Sequence, residues 1–498
     1  MQSDRSESRS QSETAGTSGS NTGNSAESHA MTGGDAGTKV GIAAVMALAA
    51  SSVASAFGGP SWLYLPMLGA LLLLIAAGFG RINRKLRTTS FVLLSVGLLA
   101  IPFAKDAVAA VQRGVFVSGL LVSLTASVLL IARCAVQSPR IQLIGAALRE
   151  REGTPRYAAF TLASQFFSGI LGLAGANLMY VMAAPSTEKP SETRTATVIS
   201  VGRGFSAASC WSPVFGNMAI LLALYPTLHW AEVFPIGLAL GQLTMFVSVL
   251  MQHVAGRRAA SHAQASASGA AHATPATPLS TLLWIAAPVV LVLLSFLVVI
   301  MSLSRMLQIV ISAAIIMMGP LVSLAFNAGM GEPGRRLSNG VQGLLASMRL
   351  FPALASEASL FLSAGCAGSI MADAFPQAWV AFIGSHLSGH PFWAVAFLVF
   401  GIMAAALAGI HPVLSAVFLA STLTPSVLGI PPISHMAAIL AGWGLSASVT
   451  PFSVLSLTAS RYAGVGLYQI SLGRNWAYAA GNAVVVCCLL TIYIVLLA

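Results

Sequence analysis

The sequence predicts an all-α polytopic membrane protein, with about eleven transmembrane helices and two re-entrant hairpins in two inverted repeats. Three observations support this fold class. The chain has 498 residues, of which 56% are hydrophobic and only 8% are charged. Its mean hydropathy of +0.82 is one that a soluble globular domain of this length does not tolerate on its surface. Polar, helix-breaking motifs also interrupt the apolar segments at membrane depth.

The chain begins with a polar tail, and four apolar segments follow it. Residues 1–37 contain almost no large apolar side chain, so we expect them to be disordered. Four positive charges in the loop 81–87 predict that this loop and the N-terminus are cytoplasmic. Segments long enough to cross about 30 Å of hydrocarbon lie near 40–57, 61–80, 88–104 and 115–136.

Two similar motifs follow these spans. Residues 203–217 read RGFSAASCWSPVFGN, and residues 442–453 read GWGLSASVTPFS. Their prolines, Pro213 and Pro451, are 238 positions apart. Superposing the two prolines also aligns a Gly-aromatic pair and the hydroxyl residue before each proline, which indicates an internal repeat.

A second pair of segments precedes the two motifs at nearly equal intervals. The first reads LAGAN at 173–177, and the second reads LAGIH at 407–411. This comparison pairs Asn177 with His411 and places both at the tips of the predicted hairpins. Two matches in the same order strengthen the interpretation as a repeat.

Each repeat is expected to contain a re-entrant hairpin followed by a broken helix. These lie at about 157–183 and 196–224 in the first repeat, and at about 391–421 and 435–459 in the second. Irregular backbone at membrane depth is tolerated where it is buried in protein or lines a water-filled cavity. The remaining apolar spans lie near 232–252, 281–302, 306–326, 351–372 and 475–497.

In the first half four spans precede the hairpin, whereas in the second half three spans precede it. Because these numbers differ by one, the two hairpins are expected to enter the membrane from opposite sides. The first membrane repeat would then be 38–252, with an extra N-terminal helix, and the second, inverted repeat 280–498. The Ala/Ser/His/Pro-rich segment 253–279 between them is expected to be a flexible cytoplasmic linker.

The two breaks are the candidate binding sites. A break frees N–H groups that attract anions and C=O groups that coordinate cations, and proline enforces it. Hydroxyl and amide groups beside the breaks suit both tasks. The candidate substrate-binding residues are Arg203, Ser209, Ser212, Asn217, Ser448, Thr450 and Ser453. The candidate ion-binding residues are Asn177, Ser212, His411 and Thr450.

Structural roles for these residues stand beside the functional ones. Serine and threonine in membrane helices often only pack or bond to a carbonyl, and proline kinks also occur outside binding sites. Arg203 is either an anchor for an anion or an interfacial cation that snorkels. His411 is either a titrating group or a hydrogen-bonded polar tip. Glu357 and Asp373 are candidate ion-coupling carboxylates or interfacial groups.

At these motifs the sequence resembles the ion transporter superfamily, which includes divalent-anion:sodium symporters, citrate–metal transporters and arsenite or sodium/proton antiporters. Residues 175–177 resemble its hairpin with asparagine, and residues 212–220 and 448–457 resemble the runs at its two broken helices. The Ser-Asn-Thr motifs of the dicarboxylate branch are absent, and His411-Pro412 replaces the second asparagine. The resemblance implies a carboxylate substrate and a homodimer.

These observations predict a secondary active transporter that moves a small anion, a carboxylate, in symport with sodium or protons by alternating access. The alternative is a sodium/proton antiporter, which needs a titrating carboxylate in the core. An enzyme is not expected, because the chain contains no HExxH, no GxSxG and no paired carboxylates. A channel is not expected either, because nothing resembles a selectivity filter or a ring of charge.

The expected partners are the anion and the lipid bilayer, and no cofactor beyond the coupling Na⁺ or H⁺ is expected. The net charge of +11 lies largely in inter-helix loops, where the positive-inside rule explains it without a nucleic acid. The five cysteines show no metal-ligand spacing. We expect the chain to be integral to the plasma membrane, which in bacteria is the inner membrane.

Overall fold

A computed structural model describes residues 35–82, 84–185, 189, 191–263 and 277–497. The predicted tail lies outside these residues up to position 34, as do residues 264–276 of the predicted linker. The helices are α1 (Asp35–Ala56), α2 (Tyr64–Ala77), α3 (Arg84–Ala100), α4 (Ala107–Val136), α5 (Pro139–Arg149), α6 (Gly153–Ala183), α7 (Glu192–Ala208), α8 (Gly216–Leu224), α9 (Trp230–Ala263), α10 (Leu279–Leu307), α11 (Ile311–Gly329), α12 (Arg336–Met348), α13 (Ala355–Ala374), α14 (Gln377–Leu387), α15 (Pro391–Leu407), α16 (Pro412–Thr422), α17 (Pro425–Leu428), α18 (Pro432–Val449), α19 (Val454–Ala463) and α20 (Arg474–Leu497).

The protein is an all-α polytopic membrane protein, as the sequence predicts. Ten helices among the described residues are long and apolar enough to cross a membrane. These ten include α6, and they count α18 and α19 together as one span, whereas α2, α15 and α16 are shorter apolar helices. Helix α9 continues to Ala263 and therefore includes the first part of the segment predicted as a linker.

The helices pack as two bundles. One bundle contains α1 to α4 together with α11 and α13, with α12 packed on α11. The other contains α7, α9, α18 and α20, with α6 packed on α7 and α15 packed on α18. Helices α16 and α6 connect the bundles, because α16 packs on α13 and α6 contacts α4.

Both predicted hairpins form. Helix α6 is not straight, because Gly172 has φ 56° and ψ −139° and reverses the chain there. A Cβ built on Gly175 would lie 2.6 Å from the carbonyl carbon of Phe167, which is possible only if the two arms lie side by side. In the second hairpin, α15 and α16 are joined by a turn in which Gly409 has φ 88°. Glycine adopts such positive φ values without steric cost.

Both predicted helix breaks also form. Helix α7 ends at Ala208 and α8 begins at Gly216, so the first break is 209–215. Helix α18 ends at Val449 and α19 begins at Val454, so the second break is 450–453. Each break contains the proline of the repeated motif, which cannot donate a backbone hydrogen bond.

The two halves run in opposite directions. On α4 and α13, the Asp106 N–H donates to Asp373 Oδ2 at 2.7 Å, whereas the Ser118 hydroxyl donates to the Phe361 carbonyl at 2.8 Å. Residue numbers therefore increase along α4 in the direction in which they decrease along α13, so the two helices are antiparallel. Helix α7 meets α18 and α19 in the same antiparallel way, as expected for inverted repeats.

Short helices before the hairpins extend the correspondence between the halves. Helices α5 and α14 each have 11 residues, and each precedes a hairpin. The start of α14 lies 377 − 139 = 238 positions after the start of α5, which is the spacing of the two break prolines. The repeat therefore extends from these short helices to the ends of α8 and α19.

Candidate functional site

The two breaks are closed by matching hydrogen bonds. The Ser212 hydroxyl donates to the carbonyl of Gly169, and the Thr450 hydroxyl donates to the carbonyl of Ala406 at 2.7 Å. Gly169 and Ala406 each lie three residues before the turn glycine of their hairpin. Each break is thus fixed to the hairpin of its own repeat at an equivalent position.

The same two hydroxyls also accept matching backbone hydrogen bonds. The Val214 N–H donates to Ser212 Oγ at 3.1 Å, and the Phe452 N–H donates to Thr450 Oγ1 at 3.3 Å. In both cases the donor is two residues after the acceptor and one residue after the proline. The hydroxyl replaces a partner that the interrupted helix no longer supplies.

The other predicted substrate-binding side chains at the first break are buried and bonded to its backbone. The Ser209 hydroxyl donates to the Ser206 carbonyl at 2.8 Å. The Asn217 amide donates to the Ser209 carbonyl at 3.0 Å, and the Asn217 side-chain oxygen accepts the Met218 N–H at 2.9 Å. Asn217 therefore links the end of α7 to the start of α8.

The second break has an equivalent set of contacts. The Ser448 hydroxyl donates to the Leu445 carbonyl at 2.9 Å, and the Ser453 hydroxyl donates to the Ala447 carbonyl at 2.6 Å. Ser453 Oγ also accepts the Ser456 N–H at 3.0 Å and so caps α19. Oxygen atoms of the hydroxyls and carbonyls therefore surround both breaks.

Helices α7 and α18 cross closely between the two breaks. A Cβ built on Gly444 would lie 2.7 Å from the Ser206 carbonyl oxygen and also against the Ser209 hydroxyl. Only a glycine allows this approach. Because 444 − 206 = 238, the contact joins equivalent positions of the two repeats, so their pseudo-two-fold axis passes between α7 and α18. The two breaks lie on opposite sides of this axis.

Arg203 is buried, with 6% of its surface exposed, and it is bonded to three other helices. Its Nε donates to Asn475 Oδ1 at 2.9 Å, and its Nη2 donates to the Arg474 carbonyl at 2.8 Å. Its Nη1 donates to the Tyr157 hydroxyl at 2.9 Å and to the Ser248 hydroxyl at 3.4 Å. The guanidinium also lies 4.4 Å from the ring centre of Tyr478. These contacts give the guanidinium neutral protein partners in α6, α9 and α20.

The predicted pairing of Asn177 with His411 is wrong. The first turn is at Gly172, three residues before the Gly175 that the sequence comparison matched to Gly409. His411 directly follows the second turn and caps α16, since its Nδ1 accepts the Val413 N–H at 3.2 Å. Asn177 instead lies in the second arm of α6 and is exposed. The two residues therefore do not form an equivalent pair of tips.

The two candidate carboxylates lie in α13 and have different surroundings. Asp373 is bonded to the start of α4 and lies 3.8 Å from Arg113. Glu357 lies in the first turn of α13 and is partly buried. One of its carboxylate oxygens, Oε2, makes no hydrogen bond within the described part of the chain. Glu357 is thus the more available of the two for a proton or cation.

Two sets of hydrogen bonds that the sequence did not predict join the repeats, one made by Arg194 and one by His435. We call each set a clasp. Arg194 at the start of α7 donates to the Tyr462 carbonyl at 2.8 Å and to the Pro185 carbonyl at 3.4 Å. His435 at the start of α18 bonds the Tyr225 hydroxyl through Nδ1 and the Leu423 carbonyl through Nε2, at 2.6 Å for the latter.

Each clasp connects the end of one hairpin to the end of the opposite repeat's second half-helix. The 238-residue offset does not align Arg194 with His435, because it pairs position 194 with position 432. The equivalence of the two clasps is therefore visible only in three dimensions.

The described part of the chain contains no group of three or more His, Cys, Asp or Glu side chains that could hold a metal ion. The oxygen atoms at the breaks are hydroxyl and backbone oxygens, which suit hard cations and hydrogen-bonded anions rather than transition metals.

Neither a family model nor a curated protein sequence matches the chain. Among solved structures, the YdaH transporter of Alcanivorax borkumensis is similar, with a TM-score of 0.48 and 14% sequence identity. The similarity covers 81% of this chain and 98% of that chain. At this level of similarity the chain is assigned to no family, and its architecture follows from its own helices, hairpins and breaks.

Proposed function

We propose that the protein is a secondary active transporter that moves a small anion, a carboxylate, in symport with sodium or protons. The observation that supports this proposal most strongly is the pair of equivalent hydrogen bonds from Ser212 and Thr450 to the two hairpins. Paired hairpins and broken helices in antiparallel repeats are the architecture with which secondary transporters form a central site. The sequence resemblance to the ion transporter superfamily agrees with this proposal.

The half-helix ends and the groups between them would hold the ligands. The starts of α8 and α19 provide the positive ends of helix dipoles, which favour an anion. Asn217 and Ser453 lie at these ends, and Ser212 lies four residues before the start of α8. Carbonyl and hydroxyl oxygens of the breaks suit a sodium ion. Arg203 then acts on the anion indirectly, by fixing α7 against α20.

Alternating access would come from movement of one bundle against the other. The breaks, α9 and α20 belong to one bundle, whereas α1 to α4 and α11 to α13 form the other. Each hairpin lies at the boundary between them. An elevator-like or rocking motion at this boundary would expose the site to the two sides in turn. The proposed location is the plasma membrane, with the N-terminus in the cytoplasm.

The proposal predicts that Ser212→Ala combined with Thr450→Ala abolishes gradient-dependent uptake. Each substitution removes the hydroxyl that fixes a break to its hairpin, at an expected cost of about 1 kcal/mol in stability. The measurement is uptake of a panel of labelled organic anions into proteoliposomes, with an inward sodium gradient, an inward proton gradient or neither.

Ser127→Ala is the matched control. The Ser127 hydroxyl also donates to a distant carbonyl, that of Ile316 at 3.0 Å, but it lies between α4 and α11 in the other bundle. We expect this variant to retain uptake. If the double variant folds and transports like the wild type, the breaks do not form the anion site.

Glu357 supports a second candidate function, sodium/proton antiport. A partly buried carboxylate with an unbonded oxygen in a membrane helix is the group that such an exchanger needs. In this case an imposed sodium gradient changes the internal pH of the vesicles although no organic anion moves. Glu357→Gln should then abolish the pH change.

Asp373→Asn is the comparison for that variant. Asp373 already accepts the Asp106 N–H and lies near Arg113, so its loss should weaken the α4 to α13 contact more than ion exchange. Equal ion exchange by wild type and Glu357→Gln would eliminate the antiporter candidate based on Glu357.

A further inference from the structure

A cavity of about 210 Å³ lies beside the first hairpin and the first break. It is formed by the first arm of α6, the first break, α9 and α10, and we call it the lateral pocket. Its lining includes Gln165, Trp211, Phe234, Gln242 and Leu297, and aromatic and aliphatic side chains dominate the rest. None of the lining residues carries an ionisable side chain.

Two buried polar side chains that line the pocket have no hydrogen-bond partner among the residues that the structure describes. Gln165 is 2% exposed, and neither its amide nitrogen nor its amide oxygen is bonded. Trp211 is 8% exposed, and its indole N–H is not bonded either. Buried polar groups are almost always paired, and the penalty for leaving them unpaired is largest at membrane depth.

The two unbonded groups lie close together. A Cβ built on Gly241 would be 3.2 Å from the Gln165 amide nitrogen and 3.1 Å from Trp211 Cδ1, the ring atom next to the indole nitrogen. Both donors therefore lie on the same small area of α9. Each residue therefore has an N–H group near the same part of the pocket wall.

The pocket is open towards the lipid-facing side of the protein. Leu162 and Leu294 line it and are exposed, and Gln242 is also exposed. Helix α10, which closes the other side, is strongly apolar and little buried by the protein, as expected for a helix that faces lipid. A molecule dissolved in the bilayer can enter without crossing water.

We propose that the lateral pocket binds an uncharged lipophilic molecule that carries a carbonyl group and enters from the bilayer. The carbonyl oxygen accepts from Gln165 and Trp211, and the apolar part fills the space between Phe234 and Leu297. The absence of an ionisable side chain separates this ligand from the anion proposed at the breaks. The inference therefore does not depend on the proposed function.

Photolabelling of the full chain in lipid nanodiscs tests this proposal. The probe is a monoacylglycerol with a diazirine in its acyl chain, and mass spectrometry locates the labelled peptides. We expect saturable labelling of the first arm of α6 and of the middle of α10. Excess unlabelled monoacylglycerol or a short-chain quinone should reduce it, whereas hexadecane, which has no carbonyl, should not.

The competitors distinguish the sources of the carbonyl. Stronger competition by monoacylglycerol indicates an acyl ester lipid, and stronger competition by the quinone indicates an isoprenoid-type ligand. Equal displacement by hexadecane would show that the pocket is only an apolar groove and would overturn the proposed carbonyl recognition.

Two sets of variants give independent tests. Leu297→Trp fills the pocket from α10 and should remove the saturable labelling, whereas Leu291→Trp introduces the same residue on the exposed part of α10 and should not. Gln165→Leu combined with Trp211→Phe keeps the apolar shape and should weaken binding about 30-fold, the effect of losing two ordinary hydrogen bonds. Wild-type labelling of Leu297→Trp, or wild-type affinity of the double variant, would contradict the proposal.

Discussion

Replacing Arg203 with alanine is expected to lower the free energy of unfolding by about 3 kcal/mol or more. The substitution leaves the Arg474 carbonyl and the Asn475 side chain without their charged donor, and each buried group left unpaired costs about 1–3 kcal/mol. It also breaks the connection between α7 and α20. The measurement is thermal unfolding of the purified protein in detergent, monitored as the loss of the monodisperse fraction.

Two further variants serve as controls for the Arg203→Ala measurement. Arg203→Lys keeps the positive charge but loses the planar fork, so we expect an intermediate loss of stability. Arg113→Ala removes an arginine whose side chain is 51% exposed, and it should change stability by less than about 1 kcal/mol. A stable Arg203→Ala protein with weakened anion binding would instead show that the guanidinium contacts the substrate.

Gly175→Val is expected to prevent the first hairpin from closing and to reduce stability by about 3 kcal/mol. A Cβ at this position meets the backbone of Phe167 and Ser168 on the other arm, at 2.6 Å and 2.8 Å for the carbonyl carbon and the amide nitrogen. Backbone cannot move aside as a flexible side chain can, so overpacking here has a large effect. The yield of folded protein and its unfolding temperature measure this effect.

Gly401→Val is the matched control in the second hairpin. Gly401 lies in α15, and a Cβ there has no neighbouring atom of residues 35–82, 84–185, 189, 191–263 or 277–497 within 4 Å. We expect this variant to fold like the wild type. Equal stability of both variants would mean that the arms of α6 do not lie side by side.

Composition and the motifs were sufficient to predict the fold class, both hairpins and both breaks. An apolar segment of about 20 residues can satisfy its own backbone groups in a membrane as a helix, so hydropathy identifies such helices directly. Pro213 and Pro451 each remove a donor, and for this reason the two breaks could be placed from the sequence.

The turn of the first hairpin could not be located in this way. Gly172 and Gly175 are both suitable turn residues in the sequence, but Gly172 provides the positive φ and Gly175 provides the close contact between the arms. Sequence spacing does not distinguish these two uses of glycine. The error of three residues shifted the pairing of Asn177 and His411.

Contacts between distant parts of the chain were also not predictable. The partner of Arg203 in α20, Asn475, follows it by 272 residues, and nothing local indicates the pair. The same reason applies to the bond between His435 and Tyr225. Periodicity and motifs report local structure, whereas such contacts depend on how the helices pack.

The most direct test of the central claim is whether proteoliposomes concentrate a labelled anion above its external level. The proposed function predicts accumulation that depends on an imposed sodium or proton gradient and is lost when an ionophore dissipates the gradient. Uptake that stops at equal internal and external concentrations, and that is unchanged by the gradient or the ionophore, would contradict secondary active transport.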